Sequence, residues 1–125
     1  MNEAILFYDG ACPVCRLTAR LAVAADTERR LRTATLDSPD ADRHLGKLSK
    51  EDRFGSFHLV VEGRLISGGE AVGPTLEQLR RMRPVGRFIG RSPAARRAAA
   101  WAYGVVSRNR GRIGKVLPDV APPSR

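Results

Sequence analysis

An apolar run, Ala4-Ile5-Leu6-Phe7, leads through Tyr8-Asp9-Gly10-Ala11 into Cys12-Pro13-Val14-Cys15, and the stretch from Arg16 to Ala25 then carries a helical pattern. The continuous apolar run reads as a short buried strand over Ala4 to Tyr8. Leu17, Leu21 and Ala24 or Ala25 share one face of a helix over Cys12 to Ala25. A strand ending in a Cys-x-x-Cys that opens a helix is the layout of a dithiol redox site. The two cysteines are the only ones in the chain. Their spacing sets both sulfurs on one helical turn, close enough for a disulfide with little backbone movement.

Each residue of that turn has a physical task. Cys12 precedes a proline, which biases its backbone away from the helical region and suits it to an N-cap. Pro13 fits the first helical position, where no N–H is needed. Cys12 is thus expected at the open N-terminus, where free N–H groups and the helix dipole favour a thiolate. Cys15, one turn inside, is the more shielded sulfur. The reading makes Cys12 the attacking nucleophile and Cys15 the resolving thiol. Arg16 adds positive potential if it turns toward the sulfur. Asp9 has three readings: a carboxylate that raises the thiol pKa, an acceptor for loop N–H groups, or a base for Cys15. Gly10 gives the loop freedom to turn tightly.

Two other readings of the cysteines stand beside this one. A structural zinc site wants four ligands, and the remaining candidates, His44 and His58, lack a tight pair spacing, so no metal is expected. Inert buried thiols are the second. His58 lies on a strand pattern and reads as structural before catalytic; His44 sits in a polar stretch and reads as surface.

A chain of 125 residues fits a domain with a real core. It has no apolar run near the length of a membrane span, and Glu3 with no basic region before the first apolar run does not read as a signal peptide. Cytoplasmic location is the expectation, and an exposed cysteine pair there is catalytic before structural. Leu31 to Leu36 suggests a second strand, and Asp37-Ser38-Pro39-Asp40 starts a short helix over Ala41 to Leu48. Phe57 to Val61 is strand-like, and Glu62-Gly63 makes a tight hairpin to Arg64-Leu65-Ile66. Gly68-Gly69 ends that strand, and a helix follows from about Glu70 or Pro74 to Met82. The predicted order is β-α-β-α-β-β-α, an α/β chain with a mixed sheet: a right-handed parallel β-α-β followed by an antiparallel hairpin.

At these residues the chain resembles a known family. Tyr8-Asp9-Gly10-x-Cys12-x-x-Cys15-Arg16 is similar to the signature of the DCC family of thiol-disulfide oxidoreductases, thioredoxin-like proteins named for an Asp-Cys-Cys motif. Phe57 to Arg64 resembles the family's second block, and Gly69-Glu70-Ala71, with Gly68 or Gly69 as its glycine, resembles a Gly-x-x-Ala region. Tyr103 to Gly114, containing Ser107-Arg108-Asn109-Arg110, is similar to a basic C-terminal segment of some members. The resemblance implies a thioredoxin-like fold and dithiol–disulfide exchange with a protein or small-molecule disulfide. It implies no organic cofactor, since the dithiol carries the electrons, and it names no substrate. Thioredoxins place a cis-proline before the third strand, where Gly55-Ser56 stands here. Ser56 is therefore a candidate substrate contact, with a plain loop residue as the other reading.

Beyond Met82 the character changes. Residues 80–125 carry eleven Arg and one Lys against one acid, a formal charge of +11, whereas residues 1–79 carry ten basic and twelve acidic side chains, −2. The division suggests a redox domain over 1–83 and an arginine-rich helical extension over 84–125, packed on or appended to it. Ser92-Pro93 is a strong helix start, and Ala94 to about Ser107 is expected to be helical. Ala98, Trp101, Ala102 and Val105 would form the stripe that packs on the domain. Gly111, Gly114 and Pro118 are expected to break regular structure, and Ala121 to Arg125 reads as a loose tail. The alternative function is a thioredoxin-like binding module that docks through this segment on an anionic membrane surface or an acidic protein. Nucleic acid ranks lower, because aromatics are sparse among the arginines.

Overall fold

The computed structural model describes residues 4–117 and 120–123. Ala4–Tyr8 forms β1, buried at every position. Helix α1 (Pro13–Ala25) crosses over to β2 (Leu31–Thr35), which runs parallel to β1 with Ala4 opposite Leu31 and Tyr8 opposite Thr35. Helices α2 (Pro39–Leu45) and α3 (Lys50–Phe54) follow. Both start on serines: Ser38 Oγ accepts the Ala41 N–H at 3.2 Å and Ser49 Oγ accepts the Asp52 N–H at 3.1 Å. Strand β3 (His58–Val61) pairs antiparallel with β1 and turns into β4 (Arg64–Ser67). Glu62 and Gly63 take φ of +52° and +75°, the left-handed pair that a tight hairpin of this twist requires.

The strand order is β2-β1-β3-β4. A parallel β-α-β unit joined to an antiparallel hairpin at the central strand is the thioredoxin-like arrangement expected above. Strand β1 is apolar throughout because both sheet faces are covered. Ala4 and Leu6 join Ala22, Leu59, Ala71 and Leu79 on one side. Ile5 and Phe7 join Leu36, Ala41 and Leu45 on the other.

The chain departs from the sequence expectation after β4. The single helix foreseen up to Met82 is three pieces: a 3-10 turn at Gly68–Ala71, α4 (Val72–Glu77) and a 3-10 turn at Arg80–Met82. Leu79 between them is extended and buried, so burying its side chain wins over one more helical turn. Helix α5 (Arg83–Arg91) is an element that the sequence expectation does not include, and it contains Pro84, Gly86 and Gly90. Pro84 lies in the first turn, where proline is tolerated. Gly86 lets α5 press on α4: a Cβ there would sit 2.6 Å from the Glu77 nitrogen and 2.7 Å from the Gly73 oxygen. The helix expected over Ala41 to Leu48 ends at Leu45, and α3 was missed after it.

Helix α6 (Pro93–Arg108) begins on Ser92, whose Oγ accepts the Ala95 N–H at 3.2 Å. Its packing face is not the Trp101 stripe. Trp101 is 70% exposed, and Ala98 and Ala102 are exposed with it. Ala95, Ala99, Tyr103 and Ser107, each four apart, are half-buried, and of the expected stripe only Val105 is half-buried with them. The reason is distance: a Cβ on Gly69 would lie 2.7 Å from Ala100 Cα, and an interface that close has no room for an indole. Helix α7 (Arg110–Val116) runs through Gly111 and Gly114, against expectation. Contacts with α1 and α6 hold it despite the poor helix propensity of glycine. Residues 120–123 carry no regular structure; Pro118, Asp119, Ser124 and Arg125 lie outside the described residues. Helix α6 rests on the Gly68–Ala71 turn, α4 and α5, and Arg83 pairs with Glu28 beyond α1. Among the described residues no helix is long and apolar enough to cross a membrane.

Asp26 is a second feature the sequence did not announce. It is buried, and its two oxygens accept the Arg30 N–H at 3.0 Å and the Leu31 N–H at 2.8 Å, fixing the entry into β2. Asp26→Ala should destabilise the fold by about 1–3 kcal/mol in urea unfolding, since it strips a buried N–H of its acceptor. A loss below about 0.5 kcal/mol, the level of an ordinary surface change, would contradict this role.

Candidate active site

The turn between β1 and α1 is built by its own backbone. The Asp9 carbonyl accepts the Cys12 N–H at 3.2 Å, and Asp9 Oδ1 accepts the Ala11 N–H at 3.0 Å. Of the three readings of Asp9, loop acceptor is therefore the one with a contact. Gly10 passes so close to β2 that a Cβ would stand 3.0 Å from Thr35 Cγ2. Cys12 is extended, at φ −96° and ψ 119°, as a residue before proline prefers. Pro13 opens α1, and Cys12 is its N-cap: the sulfur accepts the Cys15 N–H at 3.4 Å. Both thiols are free and half-buried.

The surroundings treat the sulfurs differently. Burial pushes the Cys15 thiol up to about 11, and its hydrogen bond to Cys12 and the charge on Cys12 push the same way. Arg110 opposes this, with Nη1 donating to Cys15 Sγ at 3.7 Å. Arg16 faces the loop and the tail: Nη1 donates to the Gly10 carbonyl at 2.8 Å and Nε to the Val120 carbonyl at 3.2 Å. Its charge also reaches Tyr8, whose phenol is raised by burial and partly brought back by Arg16.

Arg110 and Tyr103 are the functional candidates that the residue reading did not single out. They lie in the basic segment already noted for its resemblance, but nothing in a sequence separation of 95 residues says that Arg110 meets Cys15. Helix α7 reaches α1 where Gly114 lies over Pro13. The Tyr103 hydroxyl accepts the Phe57 N–H at 3.2 Å, and the two rings pack with centroids 5.2 Å apart. Helix α6 thus occupies a backbone donor at the start of β3.

Ser56 stands beside Gly68, 3.7 Å from where a Cβ on that glycine would be, and does not line the cavity next to Cys15. His58 is buried, with Nε2 2.9 Å from the Arg53 carbonyl and Nδ1 2.6 Å from Ser67 Oγ. A carbonyl only accepts, so Nε2 carries a proton and ties β3 to α3, while Nδ1 meets β4. His44 is exposed, its ring against Phe7. Among the described residues, no group of three or more His, Cys, Asp or Glu side chains is placed to hold a metal ion. Cys15 and Arg110 border a cavity of about 530 Å³ between α1, α4 and α6.

Residues 6–116 match the family described as DCC1-like thiol-disulfide oxidoreductase. No curated protein and no solved structure matches the chain.

In the reduced protein, thiolate absorbance should show Cys15 ionising near pH 11. Cys12→Ala should lower that midpoint, because it removes a hydrogen bond and a negative charge that hold the proton on Cys15. Arg110→Gln should raise it. A midpoint that neither substitution moves would contradict the assigned causes.

Proposed function

The chain belongs to the DCC1-like thiol-disulfide oxidoreductase family, and from that premise we propose that Cys12 and Cys15 are its exchanging dithiol. The observation that carries the reading is the Cys12 sulfur at the N-terminus of α1, accepting the Cys15 N–H. That position gives a thiolate both a hydrogen bond and the positive end of the helix dipole.

The Cys12 thiolate attacks one sulfur of a substrate disulfide. A Cys12–substrate S–S bond forms, the substrate's own S–S bond breaks, and its other sulfur leaves as a thiolate that takes a proton from water. In the free dithiol Cys15 keeps its proton, because burial and the adjacent Cys12 charge favour the thiol. Once Cys12 is in the mixed disulfide its charge is gone, and Arg110 remains to favour the Cys15 thiolate. Cys15 then gives its proton to water and attacks Cys12 Sγ, the Cys12–substrate bond breaks, the second substrate thiolate departs and is protonated by water, and the Cys12–Cys15 disulfide closes. Two electrons pass from the dithiol to the substrate, with no organic cofactor needed. Asp9, Gly10 and Pro13 set the turn, Tyr8 and Arg16 support it, and Arg110 positions the resolving thiol. The substrate is a disulfide of a protein or a small thiol, and the compartment is the cytoplasm.

Docking of the basic segment on an anionic membrane is a second reading. One observation favours it: Val85, Phe88 and Trp101 stand exposed among the arginines, Phe88 at 63%. Such apolar tips beside cations suit a lipid interface.

Cys12→Ser should abolish turnover of a model disulfide. Cys15→Ser should allow the first attack and accumulate a mixed disulfide on Cys12, seen by mass spectrometry. Arg110→Gln should slow the resolving step roughly twofold to fivefold, the range of a solvent-screened charge contact. Undiminished turnover by Cys12→Ser would overturn the dithiol reading. For the second reading, cosedimentation with anionic vesicles should fall with added salt and with Phe88→Ser.

A further inference from the structure

The cavity beside Cys15 is larger than a packing defect and has a consistent chemistry. Its volume, about 530 Å³, is in the range that holds a drug-sized molecule. The sequence makes the space by placing small residues where larger ones would fill it: Ala19 and Ala22 on α1, Ala99 and Ala102 on α6. Leu6, Leu76 and Leu79 form apolar wall between them. The space opens to solvent between α1 and α6, where the lining residues Leu21, Ala102 and Val106 are exposed.

Polar side chains interrupt the apolar wall, Tyr8, Thr18, Tyr103 and Ser107 among them, and Arg110 and Thr75 offer groups for a ligand. Arg110 brings a cation to one end, and the Cys15 contact engages one of the five N–H donors of its guanidinium. Thr75 also lines the cavity, and its hydroxyl is buried with no hydrogen-bond partner among the described residues. A buried hydroxyl without a partner is uncommon, and a ligand group is one way to satisfy it. No carboxylate lines this cavity, so a cationic ligand has nothing to meet there, and an anion has Arg110.

From this combination we infer that the cavity is a binding site for a small amphiphile, an acyl-type apolar body ending in a carboxylate or similar anion that pairs with Arg110. The body lies against Leu6, Leu76 and the four alanines. A bound anion shares Arg110 with Cys15 and shields the sulfur, so occupancy bears on the resolving thiol. The binding does not require disulfide exchange, so either reading can fail without the other.

Dodecanoate, kept below its micelle concentration, is a suitable probe, with dodecanol as its uncharged counterpart. Calorimetric titration of the reduced full chain should give one dodecanoate site. Ala102→Trp fills the cavity from an exposed helix position and should weaken binding at least tenfold, with native circular dichroism retained; Ala99→Leu should act in the same direction should the tryptophan variant not fold. Arg110→Gln should weaken dodecanoate several-fold and leave dodecanol unchanged. Saturating dodecanoate should slow alkylation of Cys15 in the Cys12→Ser protein. The inference is overturned by no dodecanoate binding, by binding that the cavity-filling variants do not weaken, or by equal loss of acid and alcohol with Arg110→Gln. Binding to anionic vesicles without binding of monomeric dodecanoate would also overturn it, assigning the basic segment to a membrane surface instead.

Discussion

The hydrogen bond from the Cys15 N–H to the Cys12 sulfur fixes where α1 begins, and much of the site follows from that start. An N-cap residue must leave the helical region while its side chain reaches the first turn. Cys12 does so because Pro13 restricts it, and the Asp9 carbonyl and carboxylate tie down the loop that delivers it. With Cys12 outside the helix and Cys15 one turn inside, one sulfur meets the positive end of α1 while the other is pushed by burial toward its protonated form. The difference in role comes from where each sulfur sits relative to the helix start.

The basic segment completes this asymmetry. Helices α5, α6 and α7 fold back on the sheet domain through glycine and alanine contacts, with Gly86 on α4, Gly69 against Ala100 and Gly114 over Pro13. Such contacts gain little from large buried side chains. They allow backbone approaches that bring two long polar residues to the site, Tyr103 to the Phe57 N–H and Arg110 to Cys15. Other small residues, Ala19 and Ala22 on α1 and Ala99 and Ala102 on α6, leave the cavity at Cys15 open. A formal charge of +11 over residues 80–125 therefore has at least one member with a specific contact at the reactive thiol.

Local signals in the sequence were read correctly where the structure is locally determined. The Cys-Pro pair placed the start of α1, Glu62-Gly63 placed the hairpin, and Ser92-Pro93 placed α6, because each of these depends on the φ preferences and caps of adjacent residues. Reading failed where distant packing decided. Leu79 leaves the helix to enter the core, Gly111 and Gly114 are helical because α1 and α6 hold them, and Trp101 turns outward because Gly69 and Ala100 meet too closely for it. The short α3 has an apolar pattern too brief to see, although Ser49 marks its start. The resemblance of Tyr103 to Gly114 to a basic family segment was the one visible hint of Arg110, and it carried no information about what that arginine touches.

The central claim is that Cys12 and Cys15 interconvert between dithiol and disulfide. Its most direct measure is the reduction potential of the pair, obtained by equilibration across glutathione redox buffers with mass spectrometry of the acid-quenched protein. The account predicts a reversible intramolecular disulfide, two hydrogens lighter than the reduced chain, that follows the buffer as a two-electron couple. Two thiols that stay unpaired under oxidising buffer, or that each end as glutathione adducts, would contradict it.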